Sequence, residues 1–321
     1  MKYFIFVLSL LLIGGAGWYF GSVSNVAEGI RASVVQDDSS LTSGNYPLIN
    51  ETVTSGLGKH YIINMQPLRE RLVAIAEEYS YKKHVYFAYL NNDSWIGINE
   101  REYFTAASTI KVPLAMSIMH AVEERKISLD DTYTVQSEDL DDNFGELYKT
   151  AEGKTFTIRE LMKITLEESD NTASSALFHA LQEIGIQDPF SNVYTFMGWD
   201  NYPGVGESPE YFDVNLKILS NMFLALYNAK YVDVDSSQEI LDYLDNENFN
   251  EQIVAGVPDG IPVAHKSGVQ TESDSYSDCG IVYAPNRHYL LCIGSEGAPK
   301  PVADAFMKEI SKTVYDYIIN N

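Results

Sequence analysis

Ser108 and Lys111 are two residues whose types and spacing could support a reaction. They lie in the segment FTAASTIKVPLAMSIM at 104–119. They are three positions apart, so on a helix both side chains lie on one face. The apolar neighbours of Lys111 predict burial, which disfavours a charged lysine and makes it a proton acceptor near neutral pH. The pattern therefore predicts a nucleophilic Ser108 that Lys111 activates. On its own, a serine at the start of a helix is more often an N-cap.

Two more polar motifs follow in the chain, Ser169-Asp170-Asn171 and Lys266-Ser267-Gly268. Each is ordinary when taken alone, because S-D-N is typical of loops and helix caps, and K-S-G of turns. The order S-x-x-K, S-D-N, K-T-G is that of class A β-lactamases and penicillin-binding proteins, in which the first serine is the nucleophile. The chain resembles this penicillin-binding serine hydrolase family over about residues 62–320.

The resemblance implies a role for the polar residues of the motifs. Ser169 would relay a proton to the leaving nitrogen, and Asn171 would hold the acylamide carbonyl of the substrate. Lys266 and Ser267 would bind the substrate carboxylate through charge and hydroxyl. These assignments make Ser108, Lys111 and Ser169 the expected catalytic residues.

The resemblance also implies an oxyanion hole, made of the backbone N–H groups of Ser108 and Val269, and an architectural role for Asp170. We expect no cofactor and no metal site, because the six histidines are scattered without the spacing of metal ligands. The segment EDLDDNFGELY is similar to a calcium loop, but its glycine stands one place too late.

One departure from the family concerns the step that releases the product. Class A β-lactamases carry a glutamate after S-D-N, in an E-x-x-L-N segment, and it acts in deacylation. Here that stretch reads FMGWDNYPGVGESPEYFD, and its only glutamates are Glu207 and Glu210, which we interpret as exposed loop residues. The sequence therefore predicts acylation followed by slow hydrolysis.

Three functions fit these residues. The first is a β-lactamase-like hydrolase of β-lactam amides, and the second is a D-alanyl-D-alanine carboxypeptidase or penicillin-binding protein that acts on stem peptides. The third is a relative that only binds peptidoglycan, and a binding module has no need of a buried lysine beside a serine. The expected partner is a small β-lactam or a D-Ala-D-Ala peptide. A formal net charge of −23 argues against nucleic acid and against an anionic membrane surface as partners of the domain.

The apolar segment at 1–21 fits either a cleaved secretory signal or a retained membrane anchor. Trp18, Tyr19 and Phe20 suit a membrane interface, so we favour the anchor. Either interpretation predicts an exported domain and contact with the membrane through this segment only. Residues 22–60 are rich in Ser, Gly, Thr and Asn and predict a flexible linker, which leaves the hydrolase domain at 61–321.

The elements that must position the motifs are strands at both ends of the domain and helices in the middle. A helix is predicted from Met65, and the runs HVYFAYLN and SWIGINE then predict a hairpin. Helices follow, one of them after a capping box of Thr157 and Glu160. The runs GIPVAHKSG, SDCGIVYA and HYLLCIG predict three more strands before a last helix. The implied fold is α/β, the β-lactamase/transpeptidase-like fold, with an antiparallel five-stranded sheet flanked by helices and an all-helical half.

The two cysteines of the chain lie at similar distances from the turn near Asn286. Cys279 and Cys292 therefore have the spacing to face each other across a hairpin. Both a disulfide and a pair of small buried residues fit this placement.

Overall fold

A five-stranded antiparallel sheet lies at the centre of the computed structural model, which describes residues 45–55, 63–205 and 213–321. The strands are, in chain order, β1 (Lys82–Tyr89), β2 (Ser94–Ile98), β3 (Phe104–Thr105), β4 (Thr132–Thr134), β5 (Thr155–Thr157), β6 (Asp213–Val214), β7 (Val263–Gln270), β8 (Ser275–Val282) and β9 (Tyr289–Glu296). The order in the main sheet is β2-β1-β9-β8-β7, while β3 pairs with β6 and β4 with β5. The predicted hairpin, the three later strands and the fold class are confirmed.

The helices within the described residues are α1 (Glu51–Ser55), α2 (Gln66–Glu78), α3 (Lys111–Glu123), α4 (Ile158–Glu167), α5 (Asn171–Glu183), α6 (Ser191–Phe196), α7 (Leu216–Tyr227), α8 (Val234–Asp245) and α9 (Lys300–Asn320). Helix α4 begins at the predicted capping box, in which Thr157 and Glu160 each bind the other's backbone N–H. A short 3₁₀ helix, Ala107–Ile110, leads directly into α3.

Alternation along the strands divides the core into two layers, because successive side chains of a strand point to opposite faces of the sheet. In β1, Val85, Phe87 and Tyr89 belong to the layer that the sheet forms with α2 and α9. Tyr86 and Ala88 belong to the other layer, which contains the buried residues of α3 to α8. The helical half thus lies on one face of the sheet, and the S-x-x-K and S-D-N motifs lie within it.

Part of the predicted linker is folded. Residues 45–55 contact the domain: Ile49 is buried in the core, and the N–H of Asn50 donates to the carbonyl of Tyr227 at 2.8 Å. The folded part was not predicted, because residues 22–60 are rich in Ser, Gly, Thr and Asn. The segment at 1–21 lies outside the described residues, as do residues 22–44 and 56–60 of the predicted linker. No helix in the described parts of the chain is long and apolar enough to cross a membrane.

A disulfide joins Cys279 and Cys292, which are directly opposite each other in the register of β8 and β9. Both residues are fully buried. The sequence allowed either a disulfide or a pair of small buried residues, and the structure contains the disulfide. Cys279 is also opposite Lys266 in the register of β7 and β8, so the disulfide lies on the strand next to the K-S-G motif.

Candidate active site

Ser108 lies in the 3₁₀ helix that precedes α3, and Lys111 is the first residue of α3. The Nζ of Lys111 donates to the Oγ of Ser108 at 3.1 Å. Ser108 is not a helix cap, because Ala106 and Ile110 occupy the two cap positions and neither makes a side-chain cap bond. Ala107 has a φ of +47°, a left-handed conformation that is uncommon for a residue with a side chain.

The ammonium end of Lys111 links two of the three motifs. Besides Ser108 Oγ, it donates to the carbonyl of Ser169 at 2.6 Å, to Ser169 Oγ at 3.3 Å and to Asn171 Oδ1 at 2.7 Å. Its side chain is almost completely buried. Burial, assisted by the positive charge of Lys266, lowers the pKa of Lys111 to about 7. A substantial fraction of the lysine is therefore neutral at physiological pH, as a general base must be.

Asp170 fixes the conformation of the S-D-N segment. One of its oxygens accepts from the N–H of Ala173 at 3.0 Å and caps α5, while the other accepts from the N–H groups of Glu146 and Leu147, both at 2.9 Å. Gly145 adjoins it closely, since a Cβ added there would lie 2.1 Å from Asp170 Oδ2. Ser169 is held at a φ of +57°, which turns its carbonyl and its hydroxyl toward Lys111. These bonds fit the architectural role predicted for Asp170.

Asn171 has partners on both ends of its side-chain amide. Its Oδ1 accepts from Lys111, and its Nδ2 donates to Asp141 Oδ1 at 3.2 Å. A second N–H of the same amide stays available for a substrate carbonyl. Burial disfavours the charged form of Asp141, but hydrogen bonds from Asn143 and Asn171 outweigh it and lower the pKa of Asp141. A negative charge therefore stands beside Asn171 at neutral pH.

The K-S-G motif lies on β7, the edge strand of the sheet. Lys266 is completely buried, and Val269 and Ser267 face the same cavity as Ser108. The Nζ of Lys266 forms an ion pair with Glu247, and Ser267 Oγ donates to Glu247 Oε1 at 2.9 Å. The N–H of Ser267, which points out of the sheet edge, donates to Glu247 Oε2 at 3.0 Å. One buried carboxylate thus holds the ammonium, hydroxyl and amide donors of the motif.

Glu247 also belongs to a buried cluster of charges with His265 and Asp278. His265 Nδ1 lies 2.9 Å from Asp278 Oδ1 and 3.2 Å from Glu247 Oε2. Burial opposes protonation of His265, but the two carboxylates prevail and raise its pKa to about 9. These three residues offer ligand atoms within 4.8 Å of one another. With Lys266 paired to the same glutamate, however, the cluster is a closed set of ion pairs rather than a metal site.

A cavity of about 1010 Å³ opens over Ser108 and Lys111. The described residues that line it include three acidic side chains, Asp141, Glu251 and Glu272, and no arginine. Besides Lys111, the lysine in this lining is Lys300, whose Nζ is bound to Asp304 Oδ2 at 2.7 Å. The cavity therefore offers little unpaired positive charge to an anionic substrate.

The structure brings together the sequence-predicted residues Ser108, Lys111, Ser169 and Asn171 through direct hydrogen bonds to Lys111. Ser267 and Val269 line the same cavity, whereas Lys266 is enclosed behind them. Glu207 and Glu210 lie outside the described residues. The contacts of Glu247 with the K-S-G motif and of Asp141 with Asn171 were not predicted from the sequence. No motif marks Glu247, which is a single glutamate after a helix in a chain with many acidic residues.

Comparison with known families gives one match that spans most of the domain. The family model described as the beta-lactamase enzyme family matches residues 67–318. The extended-spectrum beta-lactamase PER-1 of Pseudomonas aeruginosa is 23% identical in an alignment of 250 positions that covers 68% of this chain and 77% of that protein. A beta-lactamase of Bacteroides uniformis is 24% identical in an alignment of 237 positions that covers 68% of this chain and 80% of that protein.

Solved structures show the same fold. PBP-A superposes with a TM-score of 0.72 at 19% identity and covers 80% of this chain and 97% of its own. A PBP-A variant captured as an acyl-enzyme complex with penicillin G gives a TM-score of 0.72 at 20% identity, over 80% of this chain and 98% of its own. A beta-lactamase of Sphaerobacter thermophilus gives a TM-score of 0.71 at 20% identity, over 81% of this chain and 99% of its own.

Proposed function

Because the chain belongs to the beta-lactamase enzyme family and is a serine hydrolase of that kind, we propose that Ser108 is its nucleophile and that β-lactam amides acylate it. The observation that carries the proposal is the 3.1 Å contact between Lys111 Nζ and Ser108 Oγ in an open cavity. A buried lysine with a lowered pKa supplies the base that a serine hydroxyl needs. Relatives named as β-lactamases, and a neighbour held as a penicillin G acyl-enzyme, support the substrate class.

In the proposed reaction, neutral Lys111 accepts the hydroxyl proton of Ser108 as Oγ attacks the carbonyl carbon of the β-lactam. The backbone N–H groups of Ser108 and Val269 stabilise the oxyanion, where one such donor contributes roughly 3 kcal/mol. The proton then passes through the hydroxyl of Ser169, 3.3 Å from Lys111 Nζ, to the leaving nitrogen as the C–N bond breaks. The products of this half-reaction are an acyl ester on Ser108 and an amine on the opened ring.

Release of the acyl group is the step that this chain is proposed to perform slowly. The sequence contains no E-x-x-L-N glutamate after S-D-N to activate the hydrolytic water. A D-alanyl-D-alanine carboxypeptidase would use the same acylation chemistry, so the two functions differ in the acyl donor. A binding module without activity is disfavoured, because it would have no use for a buried lysine in contact with a serine.

We also propose that the domain acts outside the cytoplasm. The apolar segment at 1–21 supports export and a membrane anchor. The disulfide between Cys279 and Cys292 also supports it, because disulfides persist in oxidising compartments and are rare in the cytosol. Fractionation of cells that express the full chain, followed by N-terminal sequencing, would separate an anchored protein from a cleaved one.

Intact-protein mass spectrometry after incubation with a large excess of a fluorescent penicillin tests the nucleophile. We expect one adduct on the wild type and none on Ser108→Ala. Ser175→Ala is the matched control, because Ser175 lines the same cavity and has no contact with Lys111 in the structure. It should be labelled like the wild type. An adduct that persists on Ser108→Ala would exclude Ser108 as the nucleophile.

A further inference from the structure

Glu247 binds the side chains of Lys266 and Ser267, which the family resemblance assigns to a substrate carboxylate. Its Oε1 accepts from Ser267 Oγ at 2.9 Å and is paired with Lys266 Nζ, and its Oε2 accepts from the backbone N–H of Ser267 at 3.0 Å. A carboxylate that binds three donors in this way is the arrangement expected of a bound anionic ligand. Here the chain itself provides the anion.

This internal carboxylate is built into the fold. The side chain of Glu247 is completely buried, and the next residue, Asn248, donates its N–H to the carbonyl of Glu167 in α4 at 3.0 Å. The ring centroid of Phe249 lies 5.9 Å from Lys266 Nζ, and Phe249 lines the cavity whereas Lys266 does not. Asp245, two residues before Glu247, accepts from the N–H of Val263 at 2.7 Å. The segment that carries Glu247 is therefore attached both to β7 and to α4.

An incoming carboxylate would meet two obstacles at this place. The donors of Lys266 and Ser267 are already engaged, and a second carboxylate beside Glu247 would suffer like-charge repulsion in a buried environment. The remaining lining adds to the effect, since Asp141, Glu251 and Glu272 are acidic. An uncharged or cationic group would meet neither obstacle.

We propose that the acyl donor of this enzyme carries no carboxylate next to its scissile amide, and that Glu247 selects for an uncharged or cationic group at that position. This inference rests on the proposed function, since it assumes that Ser108 is acylated. The substrate class is an amide within a longer peptide, or a β-lactam whose carboxyl is masked. A free C-terminal D-alanine, which ends in a carboxylate, is selected against, so the inference also disfavours a carboxypeptidase.

The experiment compares a chromogenic cephalosporin with its primary carboxamide, which replaces the charged carboxylate by a neutral group of nearly the same shape. The second-order rate constant of acylation is measured for both probes by stopped-flow absorbance. For the wild type we expect the carboxamide to react at least as fast as the acid. A free carboxylate site would instead favour the acid by about tenfold or more, because hydrogen bonds to charged groups are the strong ones.

Glu247→Gln is the informative variant. It keeps the shape of the side chain and removes its charge, so acylation by the acid should rise by about tenfold while acylation by the carboxamide changes by less than about threefold. Glu77→Gln is the control for removal of a glutamate charge, because Glu77 is exposed on α2 and does not line the cavity, and it should leave the preference unchanged. If Glu247→Gln fails to fold by circular dichroism, Glu247→Asp, which withdraws the carboxylate by one methylene, and the wild-type preference still decide the question.

The outcomes separate this inference from the proposed function. A wild type that prefers the acid by tenfold or more, together with an unchanged preference in Glu247→Gln, would overturn the role of Glu247 and leave Ser108 as the nucleophile. Absence of an adduct with either probe, in the wild type and in Glu247→Gln alike, would instead contradict the proposed function.

Discussion

Lys111 Nζ is surrounded by four oxygen atoms and lies 3.1 Å from one of them, Ser108 Oγ. The carbonyl of Ser169 and the amide oxygen of Asn171 can only accept, so they claim two N–H groups of the lysine. A neutral Lys111 has two N–H groups and one lone pair. Because the two N–H groups are used by these acceptors, the lone pair can accept the hydroxyl proton of Ser108. The geometry thus suits a lysine that alternates between donor and acceptor during catalysis.

Lys111→Arg is expected to abolish acylation with little loss of stability. Arginine keeps a positive charge but does not lose its proton in proteins, so the base is removed. The rate of adduct formation should fall by about 10² to 10⁴, the usual contribution of a general base. Lys300→Arg is the control, because Lys300 lines the same cavity but is bound to Asp304, and it should stay within a few-fold of the wild type. Acylation of Lys111→Arg at the wild-type rate would remove the lysine from the mechanism.

The pH dependence of acylation should follow the titration of Lys111. The neutral form is the active one, and the pKa of Lys111 is lowered to about 7, so the rate should rise as pH increases through 7 and level off above it. Below pH 7 the fall is about tenfold per unit. The charges of Asp170, Asp141 and Glu247 all act to raise this pKa, so Asp141→Asn should shift the midpoint to lower pH. A midpoint above pH 9 in the wild type would contradict the buried environment of the lysine.

The three motifs could be found in the sequence because each is a short string with a fixed order along the chain. Periodicity likewise predicted the strands around them, and β7, β8 and β9 appear where GIPVAHKSG, SDCGIVYA and HYLLCIG stand. Glu247 could not be found in this way. Its role depends on the return of the chain after α8 to the edge of β7, a tertiary contact between residues that share no pattern. The sequence therefore predicts Lys266 and Ser267 as ligands of a substrate carboxylate, but it gives no sign that both are paired with Glu247.

Gly145→Ala should destabilise the protein far more than Gly153→Ala. Both glycines have positive φ values, +99° and +71°, so alanine is strained at either position. At Gly145 the new methyl group would also lie 2.1 Å from Asp170 Oδ2 and 2.8 Å from Asp170 Cα, whereas nothing lies within 4 Å at Gly153. We expect a loss of about 1 kcal/mol for Gly153→Ala and about 3 kcal/mol or more for Gly145→Ala, measured by urea denaturation.

Acylation provides the second measurement on these variants. A shift of Asp170 moves Ser169 and Asn171 on either side of it, so Gly145→Ala should also acylate more slowly than the wild type. Equal stabilities of the two variants would show that the contact with Asp170 is relieved at no cost.

His265 should make stability depend on pH. Its pKa is raised from 6.5 to about 9, so its protonation stabilises the fold fully below pH 6.5, and this contribution disappears as pH rises through 9. The difference in unfolding free energy between the wild type and His265→Gln should therefore decrease by roughly 3 kcal/mol between pH 6.5 and 9. Lys111 has the opposite dependence, because its pKa is lowered, but it is present in both proteins and cancels. Parallel curves for the two proteins would mean that His265 is neutral in the folded state.

Turnover should be limited by release of the acyl group. In the proposed mechanism Lys111 is the base for acylation, whereas the sequence after S-D-N has no glutamate in the E-x-x-L-N context that deacylation uses. Loss of a general base costs about 10² to 10⁴ in rate, so the acyl-enzyme should accumulate. With whichever cephalosporin probe acylates faster, we expect a burst of about one equivalent and then a slow steady state.

Rapid hydrolysis without a burst would mean that another base activates the water. Glu207→Gln and Glu210→Gln then test the two glutamates of the segment at 198–212, and a variant that converts rapid turnover into a burst identifies the base. Should both variants keep full turnover, the water must be activated from another part of the cavity. Asp141 is the next group to replace, because its charged carboxylate stands beside Asn171 and therefore near the acyl ester on Ser108.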